Sequence, residues 1–391
     1  MVGFLLAKPS EGRGMRDYWK MPLDELREEA REKTLHQHGR KVTYVVNRNA
    51  NFTRVCNVGC SFCGFGRRPG TKGASSDRID EVVARVAKTP WVTEVCLQGG
   101  IDPDLPPKYY LDLVRALREA FPWMHLHAFS PMEIDSLCAK AECEPEEILS
   151  KMRAAGVGTI PGTAAEILVD EVRRKISRNK LPVARWVQIV RAAHQTGLKS
   201  SATILFGHVE RWEDIRAHFE VLRSVQESTG GFTELVPLAF IPYQNRLGSM
   251  LARRAGGMGV LEERIRKRAM RLYPLARMVL GEVIPNLQTS WVKLGVEGAV
   301  ESLGWGCNDF GGTLYEESIT RASGGKHGEK MEPEEIESAI RGAGYEASLR
   351  STLYGSVKNR FFPRRKELSP SCERASCLSY RLTKTQTKEI K

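Results

Sequence analysis

Cys56, Cys60 and Cys63 are spaced C-x3-C-x2-C, with Phe62 immediately before the third cysteine. Thiolates grouped this closely are ligands for soft metal centres. Three of them are one short of a closed tetrahedral zinc site, and one short of an iron–sulfur cluster held by four cysteines. A cubane held by three leaves one iron open to a ligand from outside the chain. The chemistry to expect is an iron–sulfur centre with one exchangeable position. The other cysteines read differently: Cys96 in VTEVCLQ and Cys307 in GWGCNDFGG suit small core positions, and Cys138 with Cys143 lacks completing ligands.

Such a loop needs rigid support, and the periodicity around it predicts alternating strands and helices. A helix over 22–36 precedes an extended run over 42–55 that ends at the cysteines. Further strands are predicted over 92–98, 125–129, 157–161, 200–206, 233–240 and 284–291, with a short segment at 307–311. Helices are predicted over 75–89, 107–121, 145–155, 164–196 with a break near Pro182, 212–228, 260–280 and 295–303. Alternation of this kind specifies a parallel sheet of the α/β class. Eight strand candidates fit a (β/α)8 TIM-type barrel, closed or partly open, and an open α/β sheet is the alternative. The expected organisation is a helical extension over 1–41, a barrel over 42–355 and a basic, disordered tail over 356–391. Barrel sites form where strands end. There the chain places the cysteines, Gln98-Gly99-Gly100, Ser130-Pro131-Met132-Glu133, Pro161-Gly162-Thr163 and Gly207-His208-Val209-Glu210, with Asn308 and Asp309 closing the eighth strand.

The cysteine spacing resembles the signature of the radical S-adenosylmethionine (SAM) enzymes. The resemblance implies a 4Fe–4S cluster on Cys56, Cys60 and Cys63, with SAM on the open iron. It also implies that Phe62 packs against the adenine and that Gly99 and Gly100 reach the methionine end of SAM. The blocks VTYVVNRNANFTRVC, EVCLQGGIDPDLP, HLHAFSPMEI, IPGTAAEILVDEVRRKI, NLQTSWVKLG and NDFGGTLYEESITRASG further resemble the tyrosine-using subunits of FO synthase, the source of a deazaflavin. That family implies hydrogen abstraction from the amino group of L-tyrosine, Cα–Cβ cleavage to 2-iminoacetate, and addition of the 4-hydroxybenzyl group to 5-amino-6-(D-ribitylamino)uracil. It also implies an electron donor such as flavodoxin or ferredoxin, and a cyclising radical SAM partner subunit. Two features depart from the pattern. Arg54 stands where Asn is usual, and Phe240–Gly248 reads closer to menaquinone-pathway (futalosine-type) relatives, which form the second reading.

Ser130 and Glu166 join Phe62 and the glycine pair as expected cofactor contacts, with a helix N-terminus the alternative for Glu166. Glu133, Glu210, Asn308, Asp309 and Glu316 are the expected substrate contacts, a turn being the alternative for Asn308 and Asp309 and a solvated position for Glu316. His127, Glu166 and His208 are the candidates for proton transfer, and His127 is otherwise a hydrogen-bonded interior residue. Ser290, Trp291 and Lys293 are expected to line or support the cavity.

The chain has 391 residues and a formal charge of +12, of which +7 falls in the last 36 residues. That concentration in a tail, without a face interleaving aromatic and basic residues, argues against a nucleic-acid-binding protein with a structural cluster. Cys372 and Cys377 in the tail read as incidental. No apolar run approaches the roughly 20 residues of a membrane span, and the N-terminus does not read as a signal peptide. A cytoplasmic enzyme without membrane or nucleic-acid partners is expected.

Overall fold

The computed structural model describes residues 17–357; the predicted tail and its cysteines lie outside the described residues, apart from 356–357. Helix α1 (Leu23–His38) leads into β1 (Lys41–Val45) and, one residue later, β2 (Asn47–Ala50), which together form one long strand. There follow α2 (Ile79–Val86), β3 (Glu94–Leu97), α3 (Pro107–Ala120) and β4 (His125–Ala128). Two helices, α4 (Pro131–Ala141) and α5 (Pro145–Ala155), precede β5 (Thr159–Ile160). Helices α6 (Asp170–Ile176) and α7 (Val183–Gln195) lead to β6 (Lys199–Phe206), and α8 (Trp212–Thr229) to β7 (Phe232–Ala239). The remainder comprises α9 (Arg246–Ala255), α10 (Met258–Leu280), α11 (Trp291–Leu303), β8 (Asp309–Gly312), α12 (Ser318–Ala322), α13 (Pro333–Gly342) and β9 (Glu346–Leu349).

All strand pairs are parallel. Six strands run β2-β3-β4-β5-β6-β7 and three run β8-β1-β9. Single-residue bridges join the two sheets: Leu235 to Leu287, Gln288 to Asp309, and Arg48 to Tyr315. The predicted strand at 284–291 is reduced to this short link, because Pro285 has no N–H to donate and the chain turns into α11 at Trp291. The result is the expected barrel with one thinned stave. Strand β9, which was not predicted, pairs along β1 on the edge that β3 continues along β2. The segment 350–354 after it crosses the N-terminal mouth, where Arg350 and Thr352 bond Asp309 and Glu94.

Outward strand residues such as Ile204, Phe206 and Leu235 pack with Trp186, Phe219 and Leu272 of the surrounding helices into one continuous core. Inward residues behave differently. Cys96, Gln98, His127, Leu205 and Leu238 keep partial exposure although their strand neighbours Leu97, Ala128, Ile204 and Phe206 are fully buried. Strand alternation puts the former set on the axis, so the barrel is hollow above its floor. Among the described residues no helix is long and apolar enough to cross a membrane.

Candidate active site

After β2 the chain forms the cysteine loop, which backbone bonds pin from several sides. Cys56 N–H donates to Arg67 O (2.7 Å), Asn57 N–H to Ile101 O (3.0 Å), Ser61 N–H to Ile176 O (2.8 Å), and Leu247 N–H to Ser61 O (2.9 Å). All three cysteines are free thiols, and Gly66 N–H donates to Cys63 Sγ (3.4 Å). Burial pushes the Cys60 thiol up to about 12, against the pull of Lys180. A buried thiol of this kind needs a positive centre to ionise. Among the described residues no three His, Cys, Asp or Glu side chains gather for a single ion. The glycines around the loop leave room that a side chain would fill: a Cβ on Gly66 would lie 3.0 Å from Cys56 Cβ, and one on Gly100 2.1 Å from Val55 O. Three thiols around a glycine-lined space fit a multi-iron cluster.

The glycine pair is held by its neighbours. Gly100 N–H donates to Thr53 O (2.9 Å) and Gly99 N–H to Glu133 Oε1 (3.0 Å). Glu133 Oε2 also accepts from Ser130 N–H and Oγ, both at 2.7 Å, closing a capping box at the start of α4. Burial pushes Glu133 up to about 7 against these hydrogen bonds. Its placement is therefore that of a brace between the glycine pair and Ser130, rather than of a free substrate contact. Phe129, buried with φ 66°, sits behind it in contact with Phe52 and Tyr110, a strained position of the kind found at working sites.

Glu166 does not start a helix. Its φ is 40°, and it lies ahead of α6 in a loop where Ala164 also has positive φ. The predicted helix over 164–196 begins only at Asp170 and breaks between Ile176 and Val183. Glu166 Oε1 pairs with Lys180 Nζ at 2.5 Å, and Lys180 lies 5.5 Å over the Phe62 ring. Burial works against the Lys180 charge, but Glu166 and Cys60 outweigh it and hold the ammonium above its ordinary range. Phe62, Lys180 and Glu166 thus form one line from the cysteine loop across the rim. Arg173, buried, donates to Ala164 O (2.9 Å), Ala165 O (2.7 Å) and Leu181 O (2.6 Å), which fixes the strained loop. Sequence reasoning missed Arg173 within α6 and Lys180 between α6 and α7, since a single cation carries no local signal.

The other expected residues divide by position. His127 faces the lumen, with Nδ1 at 2.7 Å from Thr159 Oγ1, and burial brings it down to about 4, so the ring is neutral. Gln98 Nε2 donates to Thr163 Oγ1 (2.8 Å) on the same wall. His208 and Glu210 are engaged in the turn after β6: Glu210 accepts from the N–H groups of Gly207 (2.7 Å) and His208 (2.9 Å), and His208 Nε2 lies 2.9 Å from Leu205 O. Asn308 precedes β8 and Asp309 begins it, so both sit at the opposite end from the rim. Asn308 Oδ1 accepts from Arg277 (2.6 Å) and Leu287 N–H (2.8 Å). The expectation that Asn308 and Asp309 close the eighth strand is corrected: β8 starts at Asp309 and runs on to Gly312, so these residues enter the strand. Glu316 pairs with Arg48 and borders a cleft of about 760 Å³ lined also by Phe65, Arg54, Arg67 and Arg321. Trp291 packs, its Nε1–H donating to Gly312 O (2.8 Å), and burial lowers Lys293 against the pull of Glu317 and Cys63.

A three-cysteine loop on the rim of a hollow parallel barrel defines a class, and the comparisons agree with it. Residues 50–222 match the radical SAM superfamily and residues 233–361 the CofH/MqnC C-terminal region. The chain is 40% identical over 337 residues to the 5-amino-6-(D-ribitylamino)uracil–L-tyrosine 4-hydroxyphenyl transferase of Methanococcoides burtonii, covering 86% of this chain and 92% of that one. It is 46% identical over 318 residues to the FO synthase of Mycobacterium leprae, covering 81% of this chain but 36% of the relative, so it spans about a third of that protein. Methylornithine synthase (PylB) shares the fold at a TM-score of 0.62 and 17% identity, over 83% of this chain and 89% of that one. The chain belongs to the radical SAM superfamily and, within it, to the family of the tyrosine 4-hydroxyphenyl transferases. It is an enzyme of that superfamily, which implies a 4Fe–4S cluster and SAM, and neither the menaquinone-pathway nor the nucleic-acid reading is favoured.

Proposed function

We propose that this chain joins the 4-hydroxybenzyl group of L-tyrosine to 5-amino-6-(D-ribitylamino)uracil, releasing 2-iminoacetate, in the synthesis of the deazaflavin FO. The observation that carries this reading is likeness over nearly the whole length of a transferase of that name, on a chain whose cysteine loop overhangs a hollow lumen. When bound, the reduced cluster and SAM supply a 5'-deoxyadenosyl radical and release methionine.

Cys56, Cys60 and Cys63 would hold the cluster. Gly99 and Gly100 would let a ligand approach the backbone closely, with Glu133 and Ser130 fixing their position. Phe62 would offer a ring face, and the ion pair of Glu166 with Lys180 would offer paired charges to an amino-acid ligand at the rim. His127 stays neutral and can accept or donate one hydrogen bond in the lumen. The barrel wall excludes the water that would otherwise admit side reactions. An acidic electron donor of the flavodoxin or ferredoxin kind, a cyclising radical SAM partner and a cytoplasmic setting complete the reading.

The test is anaerobic. The reconstituted chain, with SAM, a reductant, L-tyrosine and the diaminouracil, is expected to give 5'-deoxyadenosine and the coupled product by mass spectrometry. Deoxyadenosine without coupled product would refute the acceptor. Cys60→Ala is expected to abolish SAM cleavage, and retained cleavage would sink the ligand assignment.

A further inference from the structure

The floor of the lumen is charged, and most of it is saturated. Arg350 donates from Nε and Nη2 to the two oxygens of Asp309 (2.5 and 3.0 Å), and Nη2 also to Gln288 Oε1 (3.3 Å). Thr43 Oγ1 donates to Asp309 Oδ2 (2.5 Å). Glu94 accepts from Asn47 Nδ2 (3.0 Å) and Thr352 Oγ1 (2.7 Å). Glu234 is the exception. It lies on β7, on the same inward face as Val236 and Leu238, and feels Arg350 from across the barrel, the neighbouring Thr233 hydroxyl, and Asp309 and Glu94 from other staves. Only 8% of the residue is exposed, yet Oε2 has no hydrogen-bond partner among the described residues. The hydroxyl of Tyr354, whose ring lies 4.1 Å from the Arg350 guanidinium, also has none.

An unmet buried acceptor costs about 1–3 kcal/mol, and native structures hold few of them without a reason. A carboxylate oxygen in this position calls for an N–H or O–H from a molecule entering the hollow barrel. The provenance of the floor narrows the choice. Glu234, Gln288, Asp309, Arg350, Thr352 and Tyr354 all fall within residues 233–361, whereas the cysteines, the glycine pair, Glu133 and Glu166 fall within 50–222. The segment matched to the CofH/MqnC C-terminal region therefore supplies most of the floor, Glu94 apart, while its contribution at the rim is to brace the cysteine loop, as through Leu247.

We propose that Glu234 recognises the acceptor substrate, its carboxylate accepting a hydrogen bond from a ring N–H, amino N–H or ribityl O–H of the diaminouracil. The assignment rests on the transferase reading above. L-Tyrosine can donate through its phenol and its ammonium, but the ammonium and carboxylate are the groups that the Glu166–Lys180 pair at the rim would take, and the carboxylate is repelled by Glu234, so the donor-rich diaminouracil is the better match.

The experiment measures the dissociation constants of the diaminouracil and of L-tyrosine separately by calorimetry at about pH 8.5, where Glu234 is ionised, with the full chain reconstituted anaerobically. Glu234→Leu is expected to weaken diaminouracil binding at least tenfold and to leave L-tyrosine within twofold, with iron content unchanged. Glu234→Gln keeps the shape and one acceptor oxygen while losing the charge, and is expected to weaken the same ligand threefold or more. This second variant decides the matter if the leucine protein does not fold. Diaminouracil binding within twofold of wild type in the folded variants, or loss of L-tyrosine instead, overturns the assignment. If the wild-type chain binds no diaminouracil, the transferase reading falls and this assignment with it; if it binds and the variants bind equally, only Glu234 is wrong.

Discussion

At the scale of single residues, the site mixes groups that announce themselves with groups that do not. The cysteines, Phe62 and the glycine pair were legible because their meaning lies in local spacing. Gly100 shows how tightly that spacing is built in: a Cβ there would stand 2.1 Å from Val55 O and 2.9 Å from Cys56 Cβ. Gly100→Ala is expected to leave the far-ultraviolet circular dichroism near wild type while iron per chain after reconstitution drops at least fivefold. Full iron incorporation would show that the loop yields. Glu234 and Lys180 were illegible, because one charged residue in a sequence reads as a solvated one until the fold buries it. Burial pushes Glu234 up to about 7, with Arg350 pulling the other way. Its folded value therefore lies above that of the unfolded chain, so its contribution is intact below about pH 4.5 and is lost as pH rises through 7. The wild type should lose up to about 3 kcal/mol relative to Glu234→Gln between pH 4.5 and 8. Parallel urea titrations of the two proteins at those pH values would reveal it, and a constant difference would contradict the burial argument.

At the scale of elements, periodicity located the long helices well, α5 to the residue and α3 to within one. It failed where tertiary contacts outvote local preference. Helix α4 was overlooked although Ser130 and Glu133 form a capping box, because the same residues were read as a strand end. The sequence predicts helix from 164, whereas 164–169 is loop, and its shape depends on a residue further along the chain. Arg173 ties Ala164, Ala165 and Leu181 together through their carbonyls, which holds the positive-φ residues Ala164 and Glu166 in place. Arg173→Met should leave those carbonyls unmet, at roughly 1–3 kcal/mol for each that water cannot reach. The expected outcome is faster hydrogen exchange across 163–169 and SAM affinity lowered by an order of magnitude, with the cysteine loop still loading iron. Unchanged exchange in that segment would mean the loop holds itself.

At the scale of the whole molecule, the cysteines and most of the floor come from different parts of the chain, and the barrel is complete only when β8 and β9 have paired along β1. A chain ending at Val357 should keep iron loading and the activity of the full-length protein. One ending at Gly344 lacks β9, Arg350 and Thr352, strips Asp309 and Glu94 of partners, and should be insoluble or melt at least 10 °C lower. Equal melting of the two truncations would show the mouth segment to be dispensable. The eight-unit count was legible in advance because each unit has its own periodicity; β9 was not, being four residues whose only reason to be a strand is an edge formed at Lys41–Tyr44. That pairing also sets a clock on biosynthesis. Lys41 leaves the ribosome long before its partner Glu346, and at ordinary elongation rates the delay is about 15–60 s. Through that interval the nascent chain carries an incomplete sheet with open edges and an acid-lined interior without its arginine. The yield of folded enzyme in a cell should therefore depend on translation speed and chaperone supply more than its finished, closed wall would suggest.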